Sequence, residues 1–239
     1  MSDALKIRLY LDQPLGAGQS LTLSRAQSHY LGTVMRLGPG AGVAVFNGRD
    51  GEWRARVEAL GKREGTLEAV EQVRPQAVPP DITLAFAPIK KERTDFIVEK
   101  ATELGVARIA PVLTEYSNTG RINLDRLKAH AVEAAEQCGG TYVPEISALS
   151  PLPKFLQSLD ERRLIFCDEM RAGVATTPTT PAPAALLIGP EGGFSQAERA
   201  RLHALPGVET LSLGPRILRA DTAAVAALTL WQAAQGDWT

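Results

Sequence analysis

Two stretches of this 239-residue chain carry residue types able to bind a small ligand and act on it. Gly189-Pro190-Glu191-Gly192-Gly193 follows directly on the apolar run Ala184-Ala185-Leu186-Leu187-Ile188. Glycines let a backbone approach a ligand closely and present bare N–H groups to it. Leu213-Gly214-Pro215-Arg216-Ile217-Leu218-Arg219-Ala220-Asp221-Thr222 sets two arginines and a carboxylate between a strand candidate and an apolar helix candidate. Plainer readings exist for the same residues. A Gly/Pro loop after a strand is ordinarily a turn, Arg216 and Arg219 can be surface charges, and Asp221 can be an N-cap. Spacing alone therefore marks a pocket and attaches no reaction to it.

Several chemistries are excluded. The glycine loop has no Gly-Lys-Ser/Thr, so it is not a Walker A loop, and it is not GxGxxG. There is no GxSxG elbow. Cys138 and Cys167 form no CxxC pair, and His29, His130 and His203 are scattered, so neither a metal-ligand set nor a disulfide framework is expected.

The elements that must position these loops change character along the chain. Up to about Arg74 the pattern is β-rich. Ile7–Leu11, Ser20–Leu23, Gly42–Phe46, Trp53–Val57 and Gly65–Val70 are strand candidates, with Asn47-Gly48 and Asp50-Gly51 as turns. Short, closely spaced strands predict a small barrel, interrupted by a helix over Ser24–Met35 with Ser24 as its N-cap. Arg74-Pro75-Gln76-Ala77-Val78-Pro79-Pro80-Asp81 reads as a linker, since proline removes ladder donors and favours an extended path. Two domains are therefore expected, 1–75 and 76–239.

Beyond the linker, strands and helices alternate. Ile82–Ala87, Val106–Leu113, Arg163–Cys167, Ala184–Ile188 and Thr210–Leu213 read as strands. Thr94–Leu104, closed by Gly105, and Asn123–Cys138, capped by Asn123 and ended by Gly139-Gly140, read as helices. In the latter, Leu124, Leu127, Ala131, Ala134 and Cys138 share a face. Ser195 with Glu198 forms a capping box. Ala175–Pro183 reads as a flexible loop by composition. Thr222–Ala234 is apolar almost all round, as in a helix buried in a core or at a subunit interface. Such alternation implies a parallel sheet covered on both faces, with ligands beyond the carboxyl ends of its strands.

Net charge is −1, with 44% hydrophobic and 22% charged residues, an ordinary globular composition. Residues 1–75 carry a balance of +2 and the remainder −3, which leaves room for a local basic patch without demanding one. Met1–Tyr10 lacks an apolar signal core, and no uncharged apolar run is long enough to span a bilayer. No membrane association is expected, and the cytoplasm is the expected compartment.

The two late loops, read as Leu187-Ile188-Gly189-Pro190-Glu191-Gly192-Gly193-Phe194 and Leu211-Ser212-Leu213-Gly214-Pro215-Arg216-Ile217-Leu218-Arg219-Ala220-Asp221-Thr222-Ala223, resemble those of the 16S ribosomal RNA uracil-N3 methyltransferases of the SPOUT superfamily. Phe96–Val106, Glu133–Cys138, and His29-Tyr30-Leu31 through Val34-Met35-Arg36 are similar to further motifs of that family, in its order. The resemblance implies an α/β fold: a C-terminal SPOUT trefoil-knot domain with a parallel sheet, plus an N-terminal PUA-like β-barrel. It implies S-adenosylmethionine as cofactor and a homodimer formed through the knot domain. It implies 16S rRNA, within the small ribosomal subunit, as partner. Carried over, the cofactor contacts would be Leu187, Ile188, Gly189, Gly192, Gly193, Leu213, Gly214, Ile217 and Leu218.

The implied reaction needs no metal, because the leaving thioether is neutral and catalysis is mostly positioning. Uracil N3 must lose its proton. Arg219 is the candidate for stabilising the resulting anion, and Asp221 is the candidate base or arginine-orienting group. Since N3 lies on the pairing edge, the base must be unpaired or extruded. Arg8, Arg25 and Arg36, with Lys90, Lys91 and Arg93, are candidate RNA contacts; each can equally be a solvated surface charge. His29 reads as a structural histidine, and Trp53 and Phe46 as core. The chain departs from the family in having Asp221 where Glu is usual, no arginine at Gly140 or Tyr116, and Met35 in place of a common Leu. Two competing functions remain: a non-catalytic RNA-binding protein that keeps the knot as a scaffold, and an enzyme acting on a nucleotide or small phosphate compound through Gly189–Gly193.

Overall fold

The computed structural model describes residue 5, residues 7–171 and residues 173–238. The first four positions, part of the stretch read for a leader, lie outside the described residues. The chain divides into two compact units, Met1–Val78 with Ala135–Val143, and Pro79–Ala134 with Pro144–Thr239.

The first unit contains β1 (Arg8–Tyr10), β2 (Ser20–Leu23), α1 (Arg25–His29), β3 (Gly42–Phe46), β4 (Glu52–Leu60) and β5 (Gly65–Arg74). Its five strands are ordered β1-β3-β4-β5-β2, antiparallel except for β1 beside β3. Alternation buries Leu21, Leu23, Val43, Val45, Ala55, Val57, Leu67 and Ala69 in one cluster. Three register shifts between β4 and β5 bend the ladder around that core. Phe46 is fully buried, and Trp53 packs against the cluster.

The helix expected over Ser24–Met35 is broken. Ser24 and Gln27 form the capping box that starts α1, but the helix continues as a π-turn over Tyr30–Val34. Met35 N donates to Tyr30 O, and Arg36 then adopts φ 55° to leave the turn. His29 is exposed rather than structural, and lies beside Arg25 along a groove between this turn and Glu58–Lys62.

Arg8 is likewise not an exposed cation. Its Nε donates to Glu52 at 2.6 Å, Nη1 to the carbonyls of Ala135 and Glu136, and Nη2 to that of Gly140. Its side chain is 13% exposed. A guanidinium whose donors are spent this way has little left for a phosphate, so Arg8 is structural here.

The second unit is a parallel sheet built from β6 (Ile82–Phe86), β7 (Arg108–Leu113), β8 (Glu145–Ile146), β9 (Ser150–Pro151), β10 (Arg163–Cys167), β11 (Ala184–Ile188) and β12 (Glu209–Leu211). The order is β12-β10-β11-β6-β7-β8, with β9 beside β7. β6 and β11, buried at every residue, hold the middle. Continuous apolar runs mark strands covered on both faces. The helices are α2 (Lys91–Glu103), α3 (Leu124–Cys138), α4 (Leu152–Gln157), α5 (Gln196–His203) and α6 (Ala220–Gln235). α2 packs on α6, and Gln232 Nε2 ties them by donating to Leu104 O at 2.6 Å, where Gly105 ends α2 at φ 70°.

Sequence patterning misplaced several ends for identifiable reasons. α2 begins three residues before Thr94, because no capping side chain announces Lys90; Thr94 instead closes the preceding turn through Ile89. β12 stops at Leu211, since Ser212 pairs with Thr176. The face of α3 buries Leu127, Ala131 and Ala134, but Cys138 is exposed. The Thr/Pro/Ala run is pinned rather than loose. Thr179 N and Thr180 N each donate to Glu209 at 2.8 Å, and Trp231 Nε1 donates to Thr180 O at 2.9 Å. β8, β9 and α4 are too short to show a period.

Candidate active site

The chemistry converges where β10, β11 and β12 end side by side. Apolar β11 runs straight into Gly189, and the chain turns back through Gly193, whose N–H donates to Pro190 O at 2.9 Å. Phe194 then folds under the loop. Its ring meets Phe166 edge-on, with centroids 5.2 Å apart. A β-carbon on Gly189 would lie 2.7 Å from that ring. Gly193 sits at φ 70°, and a β-carbon there would come 2.3 Å from Glu169 Oε1. Both positions therefore present bare backbone for steric reasons.

The opposite wall is the segment after β12. Gly214 adopts φ 111°. Its carbonyl accepts from Gly173 N at 3.0 Å, and Ser212 O accepts from Thr176 N at 3.0 Å. The pinned loop behind β10 thus braces the arginine loop. Between the walls lies a cleft of roughly 610 Å³ of empty space, part of it open to solvent, a size suited to a cofactor-sized ligand.

Ile188, Gly189, Gly193, Leu213, Gly214, Ile217 and Leu218 line this cleft, bringing together two loops some twenty residues apart in sequence. Four expected site residues do not line it. Leu187 faces the core with Phe166 and Phe194, because strand side chains alternate. Gly192 turns outward, where a β-carbon would meet Tyr116 Cβ at 3.2 Å. Arg219 is exposed at the N-cap of α6, while Arg216 does line the cleft. Asp221 is 2% exposed, and its carboxylate is paired with Arg93 while Oδ1 accepts from Thr222 N at 2.9 Å. It is therefore an arginine partner in the first turn of α6, not its N-cap.

The cleft floor comes from residues that sequence reading passed over. Cys167, Asp168, Glu169 and Arg171 follow β10 and line it. The rule that ligands gather at carboxyl ends of strands, applied to β10, points to them. Asp168, with a fully buried side chain, is held by Arg199 from α5, which donates Nη2 to Oδ2 at 2.8 Å. His203 Nε2 lies 3.0 Å from the same oxygen. Glu169 accepts from Arg199 at 3.2 Å and from Phe194 N at 3.4 Å. Burial, and secondarily the charge of Glu209, push the Cys167 thiol far up, so it acts as a small apolar wall. Among the described residues no cluster of three or more His, Cys, Asp or Glu side chains could hold a metal, and no helix is long and apolar enough to cross a membrane.

The expected RNA cations fall into different surroundings. Arg25 and Arg36 are exposed in the first unit. Lys90 and Lys91 are exposed at the start of α2, and Arg93 is half exposed but committed to Asp221.

Residues 76–232 match the family described as an RNA methyltransferase domain, and residues 23–70 match the RNA methyltransferase PUA domain. Ribosomal RNA small subunit methyltransferase E of Synechocystis is 34% identical over 87% of this chain and 71% of its own length. The protein of the same name from Rickettsia conorii is 29% identical over 92% and 93%. Among solved structures, a methyltransferase from Legionella pneumophila in complex with the bound cofactor SAM is 35% identical, with a TM-score of 0.85 over 97% of this chain and 98% of that one. Ribosomal RNA small subunit methyltransferase E from Neisseria gonorrhoeae, bound to S-adenosyl methionine, is 28% identical, with a TM-score of 0.83 over 98% and 99%. The parallel α/β sheet and its N-terminal companion are thus those of SPOUT-type RNA methyltransferases.

Proposed function

The chain belongs to the RNA methyltransferase family, and from that premise we propose that it transfers a methyl group from S-adenosylmethionine to N3 of a uracil in 16S ribosomal RNA. The observation that carries this reading is the glycine-walled cleft. Gly189 packs so closely on Phe194 that only bare backbone fits there. The lining also carries charge of both signs, Asp168, Glu169 and Glu191 with Arg171 and Arg216. Such a mixture suits a donor that bears sulfonium, ammonium and carboxylate groups. The solved relatives named above, from Legionella pneumophila and Neisseria gonorrhoeae, hold this donor.

In this reading Ile188, Gly189, Gly193, Leu213, Gly214, Ile217 and Leu218 hold the cofactor, largely by backbone and aliphatic contact. Leu187 supports the strand end from behind, and Gly192 lets Tyr116 close over the loop. S-adenosylmethionine supplies an electrophilic methyl whose leaving group is a neutral thioether. The protein's remaining task is to hold uracil in line with that methyl and to favour loss of the N3 proton. Arg219, or Arg216 from the lining itself, would stabilise charge spread over O2 and O4. Asp221 would orient the arginine loop through its pair with Arg93, leaving solvent or the RNA to take the proton.

Exposed Arg25 and Arg36 of the PUA-like unit, with Lys90 and Lys91, would contact RNA phosphates within the small ribosomal subunit. A homodimer through the second unit completes the proposal. Its support is the half-exposed face of α6, where Ala223, Val225, Ala226 and Leu230 are only partly covered. Mass spectrometry of 16S rRNA from cells lacking the gene tests the reaction and its target together. Loss of a single N3-methyluridine, restored by the wild-type gene, is the expected result. An unchanged nucleoside profile rejects the proposal.

A further inference from the structure

A second concave surface lies on the same rim of the sheet. β6 and β7 are neighbours, and the loops leaving their carboxyl ends face one another across a groove. One side is Pro88–Lys91 with Thr94 and Asp95. The other is Asn118, Thr119 and Arg121–Asn123, with Arg126. Four cations, Lys90, Lys91, Arg121 and Arg126, line it against a single carboxylate, Asp95. That carboxylate is already spent on Arg126 and lies near His130. Lys90, Lys91 and Arg121 are exposed, and none of the three is in an ion pair among the described residues. On a chain whose net charge is −1, so local an excess of unanswered positive charge marks an anion-binding surface.

The groove is joined to the cleft at two points. Asn118, from the groove, donates its side-chain amide to Glu191 at 3.3 Å, and Glu191 lines the cofactor cleft. Arg93, two residues after Lys91, pairs with Asp221, which directly follows Ala220 of the cleft lining. A polymer seated in the groove is therefore led past the cleft's edge. The groove also carries side-chain amides and hydroxyls at Asn118, Asn123 and Thr119, the mixture of charge and hydrogen-bonding groups that tracks a sugar-phosphate backbone.

We propose that this groove binds the phosphates of the single RNA strand flanking the methylated base, and that Arg121 is a principal contact. The inference rests on the RNA-methylation reading and adds where the strand runs: along the β6–α2 and β7–α3 loops of the catalytic unit, independently of the PUA-like unit. An extruded base needs its backbone held close to the site of reaction, and these loops supply cations beside the cleft.

The test uses the full-length protein and a single-stranded oligonucleotide of 16S sequence spanning the methylated uracil. Arg121→Glu, alone and with Lys91→Glu, should raise KM for the RNA by about tenfold or more. kcat for Arg121→Glu and affinity for S-adenosylmethionine should stay within about twofold of wild type. The slope of log affinity against log salt should fall by about 0.7 for each phosphate that the variant no longer neutralises, and Arg121→Lys should restore it. Unchanged KM and salt slope in a protein that methylates the oligonucleotide would overturn the groove while leaving the reaction in place. Wild type that binds the oligonucleotide with the expected slope, loses it in Arg121→Glu, yet transfers no methyl either to the oligonucleotide or to small ribosomal subunits from cells lacking the gene would keep the groove and sink the reaction. An acidic peptide, rather than RNA, competing at the groove would also overturn the proposal.

Discussion

Arg93, in the first turn of α2, closes an ion pair onto the nearly buried Asp221 in the first turn of α6. The carboxylate that follows the arginine loop in sequence is thus answered by a cation from another helix. A carboxylate held in this way serves better to fix the position of a loop than to take a proton.

That arrangement sets a coupling test. If Asp221 orients the loop through Arg93, Arg93→Ala and Asp221→Asn should lower turnover together, and the double variant should be scarcely worse than either single one. The expected coupling is about 1–3 kcal/mol in a double-mutant cycle on kcat. Turnover abolished by Asp221→Asn but untouched by Arg93→Ala would instead make Asp221 the base.

Arg219 stands at the N-cap of α6 with its side chain exposed. Arg219→Ala is expected to reduce kcat by about a hundredfold while leaving the dissociation constant for S-adenosylmethionine within about twofold. Steady-state kinetics with calorimetry reads both. If turnover survives, Arg216, which lines the cleft, becomes the residue to change.

Gly189→Ala places a methyl group 2.7 Å from the Phe194 ring, and Gly193→Ala forces a side chain into φ 70° against Glu169. Both should weaken cofactor binding by tenfold or more. Gly193→Ala should also cost about 1–3 kcal/mol of stability from backbone strain. Calorimetry and urea unfolding measure the two effects separately. Normal affinity in both variants would mean that the cofactor does not rest on this loop.

Asp168 is a fully buried carboxylate gripped by Arg199 from α5. Asp168→Asn removes the buried charge and leaves Arg199 only its longer contact to Glu169, a change expected to cost about 2 kcal/mol. Because Asp168 also lines the cleft, cofactor affinity should fall with stability. A shift in unfolding free energy below about 1 kcal/mol would show the pair to be no more than a surface-grade interaction.

Glu209 carries a pH signature. Burial pushes its carboxyl up, but hydrogen bonds from Thr180 and Thr179 outweigh this and hold it below the usual carboxylate range. A carboxyl depressed in the folded state stabilises the protein in full above the ordinary glutamate value of about 4.3. That contribution is lost as pH falls through the lower folded value. Glu209→Gln should therefore melt below wild type near neutral pH, and the gap in Tm should close in acid. A gap independent of pH would mean that the tether to Thr179 and Thr180 does not depend on charge.

Much of this molecule was legible in local chemistry. Alternation in Ser20–Leu23, the unbroken apolar runs Val43–Phe46 and Ala184–Ile188, and the boxes at Ser24 and Ser195 depend on residues a few positions apart. Their physics is therefore written in contiguous sequence. The two late loops could be named for the same reason: glycines and charged residues stand immediately beyond strand ends. What the linear chain could not encode was which distant groups answer which charges. Arg8 is spent on Glu52 and on the carbonyls of Ala135, Glu136 and Gly140. Asp221 is taken by Arg93, and Asp168 by Arg199. Each pairing spans about 30 to 130 residues and forms only when strand order in the sheet brings the loops together. Charge is a property of one residue, whereas its availability for binding or catalysis depends on which groups folding has placed beside it.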